Sequence, residues 1–169
     1  MKDVLTFVMA GGKGERLRPL TLDRSKPRVP FGGIYRLIDF TLSNCVNSGA
    51  YKIVVLPQYK SQSLNEHLER GWNILSEKIG HFLKIVPPQQ RTGSDWYKGT
   101  ADCIRQNSYL IERYKPQHVL VLSGDHIYKN NVIPQGTEIG FNPDQDRERF
   151  TVTPRGIVVI PKGYFKYEN

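Results

Sequence analysis

The fold is decided by one stretch near the N-terminus, Val8-Met9-Ala10-Gly11-Gly12-Lys13-Gly14-Glu15-Arg16-Leu17-Arg18-Pro19-Leu20-Thr21, in which an apolar strand runs directly into a basic, glycine-rich loop. The three glycines let the backbone turn sharply and bring N–H groups close to phosphate oxygens. Lys13, Arg16 and Arg18 add positive charge at the same place. The stretch predicts a loop that binds a nucleoside triphosphate, although a plain turn between strand and helix fits the loop alone equally well.

The spacing of the glycines excludes two familiar phosphate loops. A dinucleotide-binding fingerprint needs a third small residue where Leu17 stands, and no Gly-Lys-Ser/Thr of a P-loop follows. The downstream sequence must therefore decide which kind of nucleotide site this is.

Three short apolar runs predict parallel strands that are covered on both faces: Val4 to Met9, Ile53 to Leu56 and Val119 to Leu122. Helical patterns separate these runs, which favours an open parallel α/β sheet with its ligand outside the carboxyl ends of the strands. The glycine-rich loop and Asp125 both follow such ends. Their convergence predicts a site at that edge of the sheet.

Apolar spacing, capping residues and helix breakers predict three helices. The first carries Ile34, Ile38, Leu42 and Cys45 on one face and stops at Gly49. The second opens with a Ser63-x-x-Glu66 capping box and buries Leu64 and Leu68. The third follows Gly99 and ends before Pro116. One of its faces carries Ala101, Ile104, Ser108 and Ile111. The segment 71–94 is interpreted as an irregular, mobile lid or regulatory loop.

Length and composition favour a cytoplasmic protein with one buried core. The chain has 169 residues, no apolar run long enough to span a bilayer and no signal-peptide profile at its start. Its net charge of +8 is spread along the chain, so anionic small substrates are a simpler explanation than nucleic acid. Cys45 and Cys103 lack metal-ligand spacing and are expected to be reduced and packed.

Four blocks of sequence together identify a family resemblance. They are the glycine-rich stretch with residues 24–49, then residues 56–64, then residues 89–91 with 96–102, and finally residues 123–129. In their residues and in their order along the chain, these blocks closely resemble the sugar-1-phosphate nucleotidylyltransferases, specifically the glucose-1-phosphate adenylyltransferases. The resemblance runs from the N-terminus to about Asn130.

The resemblance implies two parts of unequal size. Residues 1–130 would form the N-terminal part of a Rossmann-like, parallel-sheet nucleotidyltransferase domain. Residues 131–169 would be a remnant of the family's C-terminal left-handed β-helix, because Ile133 and Ile139 lie six apart as in a hexapeptide repeat. The rest of the catalytic domain should follow residues 125–129, so the chain resembles an adenylyltransferase with its middle deleted.

The resemblance also implies a reaction and assigns residues to it. ATP and glucose 1-phosphate would give ADP-glucose and pyrophosphate, with Mg²⁺ as cofactor. Arg16, Lys26 and Asp125 would be the catalytic residues, and Asp125 would also bind the metal. The nucleotide would be bound by Gly11, Gly12, Gly14, Gln90, Tyr97, Gly99 and Thr100.

Ordinary structural roles compete with several of these assignments. Asp125 could instead cap the next turn, and Gln90 could be a solvated loop residue. Asp102 is expected to serve the dipole of its own helix, and Asp39 to orient neighbouring side chains or a helical turn. The four histidines are expected to be structural.

The apparent deletion leads to an expectation about activity. The family's sugar-phosphate lysine and its second metal-binding aspartate have no counterparts here, so little or no synthesis is expected from this chain alone. Two interpretations stay open: an impaired enzyme of the family, and a noncatalytic ATP-binding module or regulatory partner of an intact subunit. A homo-oligomer is compatible with both, and neither binding to nucleic acid nor membrane association is expected.

Overall fold

The computed structural model describes residues 3–89 and 96–127 and the backbone of residues 158–161. The strands are β1 (Val4–Ala10), β2 (Pro30–Phe31), β3 (Tyr35–Arg36), β4 (Lys52–Pro57), β5 (Phe82–Ile85), β6 (His118–Ser123) and β7 (Val158–Pro161). The α-helices are α1 (Leu37–Asn47), α2 (Gln62–Gly71), α3 (Thr100–Gln106) and α4 (Ser108–Tyr114). Single 3₁₀ turns lie at Glu15–Leu17, Lys26–Arg28 and Glu77–Ile79.

The central sheet has the strand order β5-β4-β1-β6-β7, and its first four strands are parallel. The three strands predicted from apolar runs are confirmed as β1, β4 and β6. They form the middle of the sheet, and nearly all of their residues are buried. The predicted parallel α/β sheet is therefore confirmed.

Alternate residues of the strands pack into two separate cores, one on each face of the sheet. One face carries α1 and α2, which bury Ile38, Leu42, Cys45, Leu64 and Leu68 against the strands. The other face carries α3 and α4, which bury Cys103, Leu110 and Ile111. Cys45 and Cys103 are unpaired and buried, and burial raises the pKa of both thiols to about 12. The expected reduced, packed cysteines are confirmed.

A buried carboxylate fastens α1 to α2. Asp39 Oδ2 accepts the backbone N–H of Arg36 at 2.7 Å and so caps the start of α1. Asp39 Oδ1 accepts the indole N–H of Trp72 at 2.8 Å and lies 2.6 Å from His67 Nε2. Asp39 thus orients its neighbours and the first turn of α1, as expected, and His67 has a structural partner.

The start of α1 differs from the prediction. The helix begins at Leu37, and Ile34 lies outside it with 82% of its surface exposed. Ile34 follows Gly32 and Gly33, whose φ angles of 60° and 87° form the turn between β2 and β3. Two successive residues with positive φ cannot start a right-handed helix, so the chain first makes this hairpin. The predicted stop is confirmed, because Gly49 has a φ of 74° just beyond the end of α1.

The predicted capping box at Ser63 is wrong. Helix α2 begins at Gln62, because the backbone N–H of Asn65 already donates to the carbonyl of Ser61 at 2.8 Å. Ser63 therefore lies inside the first turn, and its buried hydroxyl has no hydrogen-bond partner among the described residues. The predicted burial of Leu64 and Leu68 is confirmed.

The predicted third helix is broken into α3 and α4 at Asn107. The side chain of Asn107 donates to the carbonyl of Cys103 at 2.8 Å and to the hydroxyl of Tyr97 at 3.0 Å, and this buried network holds the break. Ala101 and Ser108, predicted to share a face with Ile111, are exposed, whereas Ile111 is buried. The end of α4 at Tyr114, before the proline, agrees with the prediction.

The segment 71–94 was predicted to be irregular, but part of it has regular structure. It contains β5, which pairs in parallel with β4 at the edge of the sheet.

Strand β7 lies within the region assigned to a tail and pairs antiparallel with β6. The predicted β-helix repeat at residues 132–140 lies outside the described residues. In the described part of the chain, no helix has the length and apolar character required to span a bilayer.

We predict that Asp39→Ala lowers the free energy of unfolding by about 3 kcal/mol. The substitution leaves the part-buried His67 and Trp72 without their carboxylate partner, and such hydrogen bonds contribute about 1.5–3 kcal/mol each. Urea unfolding followed by far-UV circular dichroism measures the change. Asp23→Ala, at an exposed position, should change stability by less than about 0.5 kcal/mol. Equal effects of the two substitutions would contradict the structural role of Asp39.

Candidate functional site

An open cleft of about 860 Å³ lies at the carboxyl ends of β1 and β6. It is lined by Gly12, Lys13, Gly14, Glu15, Arg16, Leu17, Lys26 and Asp125. Met9 pairs with Ser123 in the register of the two strands, so the segments that follow them leave the sheet side by side. The structure therefore brings the predicted catalytic residues Arg16, Lys26 and Asp125 to one place.

The loop after β1 is folded tightly around Gly14. This glycine has a φ of 67°, and its carbonyl accepts the backbone N–H of Leu17 at 2.9 Å and the hydroxyl of Thr21 at 2.8 Å. A Cβ atom at Gly14 would lie only 2.9 Å from side-chain atoms of Thr21 and Lys26. Only glycine combines this backbone angle with so close an approach. Arg16 follows in the 3₁₀ turn and is exposed.

Lys26 lies directly against the glycine loop and lines the cleft. Its backbone N–H donates to the carbonyl of Gly12 at 3.4 Å, which ties it to the loop. Its ammonium lies 2.7 Å from Asp125 Oδ2, and both side chains are partly exposed to the cleft. The arrangement places one cation directly against the acidic residue and leaves the cations of Lys13 and Arg16 on the loop.

Asp125 is held in its charged form by its neighbours. Burial by itself raises the pKa of this carboxyl. The hydrogen bonds that it receives from Lys26 and from the hydroxyl of Ser123 outweigh burial, and the pKa lies below its usual value. Asp125 is consequently a carboxylate at neutral pH, flanked by cations and open to the cleft.

A second group of predicted residues lies beside the glycine loop, at Gly11. A Cβ atom at Gly11 would lie 3.1 Å from Gln58, which follows β4 at the same edge of the sheet. The Gln58 amide in turn donates to the carbonyl of Tyr97 at 3.3 Å. The ring of Tyr97 is buried, and its hydroxyl accepts from Asn107. Contact between the Tyr97 side chain and a nucleotide stays a prediction.

The remaining predicted nucleotide-binding residues lie near the start of α3. Gly99 has extended backbone, and Thr100 is the exposed first residue of the helix. Asp102 accepts the backbone N–H of Lys98 at 3.0 Å as well as side-chain bonds from Arg105 and Gln106, and these lower its pKa to about 2. Asp102 therefore stabilises its own helix, as expected.

Gln90, also predicted to contact the nucleotide, lies outside the described residues. Trp96, which precedes Tyr97, is 57% exposed and is not a core residue.

Two polar side chains near Asp125 were not singled out from the sequence. The Ser123 hydroxyl donates to Asp125 Oδ1, a contact that the Ser-Gly-Asp spacing could have suggested. The Thr41 hydroxyl lies 3.1 Å from the carbonyl oxygens of both Ser123 and His126. Thr41 is on α1, far away in sequence, and no local pattern connects it with the turn.

The cleft offers few ligands to a divalent cation. Within residues 3–89 and 96–127, no three His, Cys, Asp or Glu side chains cluster as a metal site. Two carboxylates line the cleft: Glu15 is exposed on the loop, whereas Asp125 is partly buried beside Lys26. This suits Mg²⁺, which is commonly bound by one or two carboxylates together with substrate phosphates and water.

The fold and the cleft together define the class of protein. A parallel α/β sheet with a glycine-rich basic loop after one strand and a carboxylate after its neighbour is typical of nucleotide-binding α/β domains. Residues 5–138 match the nucleotidyl transferase family, and the chain belongs to that family.

Sequence identity to individual proteins supports the same family. The chain is 57% identical over 134 residues to glucose-1-phosphate adenylyltransferase 2 of Vibrio vulnificus. The matched residues make up 79% of this chain and 33% of that protein. It is 52% identical over 132 residues to glucose-1-phosphate adenylyltransferase of Rhodopirellula baltica, covering 78% of this chain and 30% of that protein. The resemblance identified from the sequence is confirmed. The chain spans about a third of the length of these relatives.

We predict that Lys26→Met raises the pKa of Asp125. Of the groups that lower this pKa, Lys26 has the largest effect. Without its ammonium, less remains to offset the burial that raises the pKa. In metal-free buffer, the carbon resonance of the Asp125 carboxyl should titrate at higher pH in the variant than in the wild type. Because the wild-type pKa is lowered, the stability that Asp125 contributes is present above the unfolded-state pKa and is lost as pH falls through the folded-state value.

Lys13→Met is the matched control for this titration. It removes the same charge from the same cleft but leaves the ion pair of Lys26 with Asp125 in place. An equal shift in both variants would show that the ion pair is not the cause.

Proposed function

We propose that this chain binds Mg·ATP in the cleft and forms the nucleotide side of a glucose-1-phosphate adenylyltransferase site. The observation that carries the proposal is the meeting of the glycine loop, Arg16, Lys26 and Asp125 around one cleft. Three cations and the backbone N–H groups of a glycine loop suit a triphosphate, and the carboxylate of Asp125 suits a metal ion that accompanies it.

Each group has a distinct task in this proposal. The backbone at Gly11, Gly12 and Gly14 would approach the phosphates closely, because glycine has no Cβ atom. Arg16 offers a planar, multiply donating cation on the exposed loop, which suits bidentate contact with phosphate oxygens. Lys26 supplies a second cation beside Asp125. Together they would neutralise the charge that develops as pyrophosphate leaves.

Mg²⁺ is the proposed cofactor, and Asp125 is the residue that would hold it. When bound, the metal ion would withdraw charge from the phosphate oxygens that it contacts. The carboxylate is already ionised at neutral pH, so no proton has to leave before it can accept a metal ion. Gln90, Tyr97, Gly99 and Thr100 stay proposed contacts for the nucleoside.

Glucose 1-phosphate is the proposed acceptor, because the similar proteins are glucose-1-phosphate adenylyltransferases. In the proposed reaction its phosphate oxygen attacks the α-phosphorus of ATP in line, and positioning by the protein is the main source of catalysis. The residues of the cleft are those proposed to bind ATP, so the cleft is assigned to the nucleotide side of the reaction. A cytoplasmic location and a homo-oligomeric state also stay predictions.

Binding of ATP to the purified chain tests the proposal. We predict saturable binding in Mg²⁺ by titration calorimetry, weakened about tenfold or more by Arg16→Ala, because a charge-assisted hydrogen bond contributes about 1.5–3 kcal/mol. Asp125→Asn should weaken binding in Mg²⁺ and have a much smaller effect in EDTA.

Arg70→Ala is the matched control for Arg16. Arg70 is exposed in the last turn of α2 and does not line the cleft, so its loss should leave ATP affinity unchanged. Absence of Mg·ATP binding, or binding that Arg16→Ala does not weaken, would contradict the proposed site. Tighter binding of dTTP than of ATP would instead contradict the adenylyl assignment.

A further inference from the structure

The short turn after β6 determines where the Asp125 carboxylate lies. One side of this turn is fixed against β1, because the backbone N–H of Gly124 donates to the carbonyl of Met9 at 2.8 Å. A Cβ atom at Gly124 would lie only 3.2 Å from the Met9 carbonyl oxygen, so the turn sits directly on the neighbouring strand. This contact fixes the residue before Asp125 but not the residue after it.

Thr41 supplies the second fixed point. Its hydroxyl oxygen lies 3.1 Å from the carbonyl oxygen of Ser123 and 3.1 Å from that of His126. These two carbonyls bracket Asp125 in sequence. A hydroxyl has one proton, so Thr41 shares a single donor between them and holds the two ends of the turn together.

We propose that Thr41 is a positioning residue for Asp125, acting through the backbone of the turn and without contact to nucleotide or metal. Thr41 is fully buried on α1 and does not line the cleft. The role rests on the proposed function, in which Asp125 holds the metal ion that accompanies ATP. A carboxylate that binds a metal ion depends on the neighbouring groups that keep its oxygens in position.

The helix that carries Thr41 is suited to this task. The network of Asp39 with Arg36, His67 and Trp72 fixes the start of α1. Ile38, on the same helix, reaches to 3.6 Å from the Cβ position of Gly124. The turn therefore rests on a strand on one side and on an anchored helix on the other.

Thr41→Val tests the proposal because valine keeps the shape of threonine and removes its hydroxyl. We expect the affinity for ATP in Mg²⁺ to fall about tenfold, the lower end of the effect of losing a group behind a metal ligand. Affinity in EDTA should change much less. Thr41→Ser, which keeps the hydroxyl, should restore most of the Mg²⁺-dependent affinity.

A second measurement does not depend on the nucleotide. Amide hydrogen exchange across residues 122–127 of the ligand-free chain should become several-fold faster in Thr41→Val. Thr6→Val is the matched control, because Thr6 is equally buried and its hydroxyl has no hydrogen-bond partner among the described residues. It should leave both the exchange and the ATP affinity unchanged.

The two measurements separate failure of this inference from failure of the proposed function. If the wild type binds no Mg·ATP but exchange in the turn rises only in Thr41→Val, the proposed function fails and Thr41 still holds the turn. If the wild type binds Mg·ATP and Thr41→Val matches it in Mg²⁺ dependence, the positioning role is overturned. Equal losses for Thr41→Val and Thr6→Val would likewise overturn it, because they would reflect core packing alone.

Discussion

The parallel pairing of β1 with β6 is the constraint on which the cleft depends. Because Met9 lies opposite Ser123, the two strands end at the same edge of the sheet, and the glycine loop emerges beside the turn that carries Asp125. Lys26 then closes the arrangement, since its ammonium meets the carboxylate across the cleft. A shift of one residue in this register would turn every side chain of β1 or β6 to the opposite face and separate these charges.

The cleft has a fixed side, which α1 supports from behind, and an exposed side. On the fixed side, Asp39 fastens the helix to α2, and Thr41 contacts the turn that carries Asp125. On the exposed side, Lys13 and Arg16 project from the glycine loop into solvent. This division suits a site in which the carboxylate is placed in advance and the loop cations adjust to an anionic ligand.

The sequence predicts the centre of this fold well and its edges less well. Buried parallel strands are continuous apolar runs, and the glycine loop and Asp125 follow two of them, so the convergence of the site was predictable. Strand β5 was missed because it is short, half-buried and contains Lys84. Ile34 was misplaced because helical spacing does not reveal the positive φ angles of the preceding glycines. The roles of Thr41 and Ser123 depend on contacts that form only when α1 and β6 pack together.

A crystal structure of this chain with Mn²⁺ and a non-hydrolysable ATP analogue would show directly whether the cleft binds the nucleotide and its metal ion. We predict a triphosphate along the backbone of residues 11–16, with an anomalous peak for Mn²⁺ at the carboxylate of Asp125. A nucleotide bound elsewhere, or a metal ion bound away from Asp125, would contradict it.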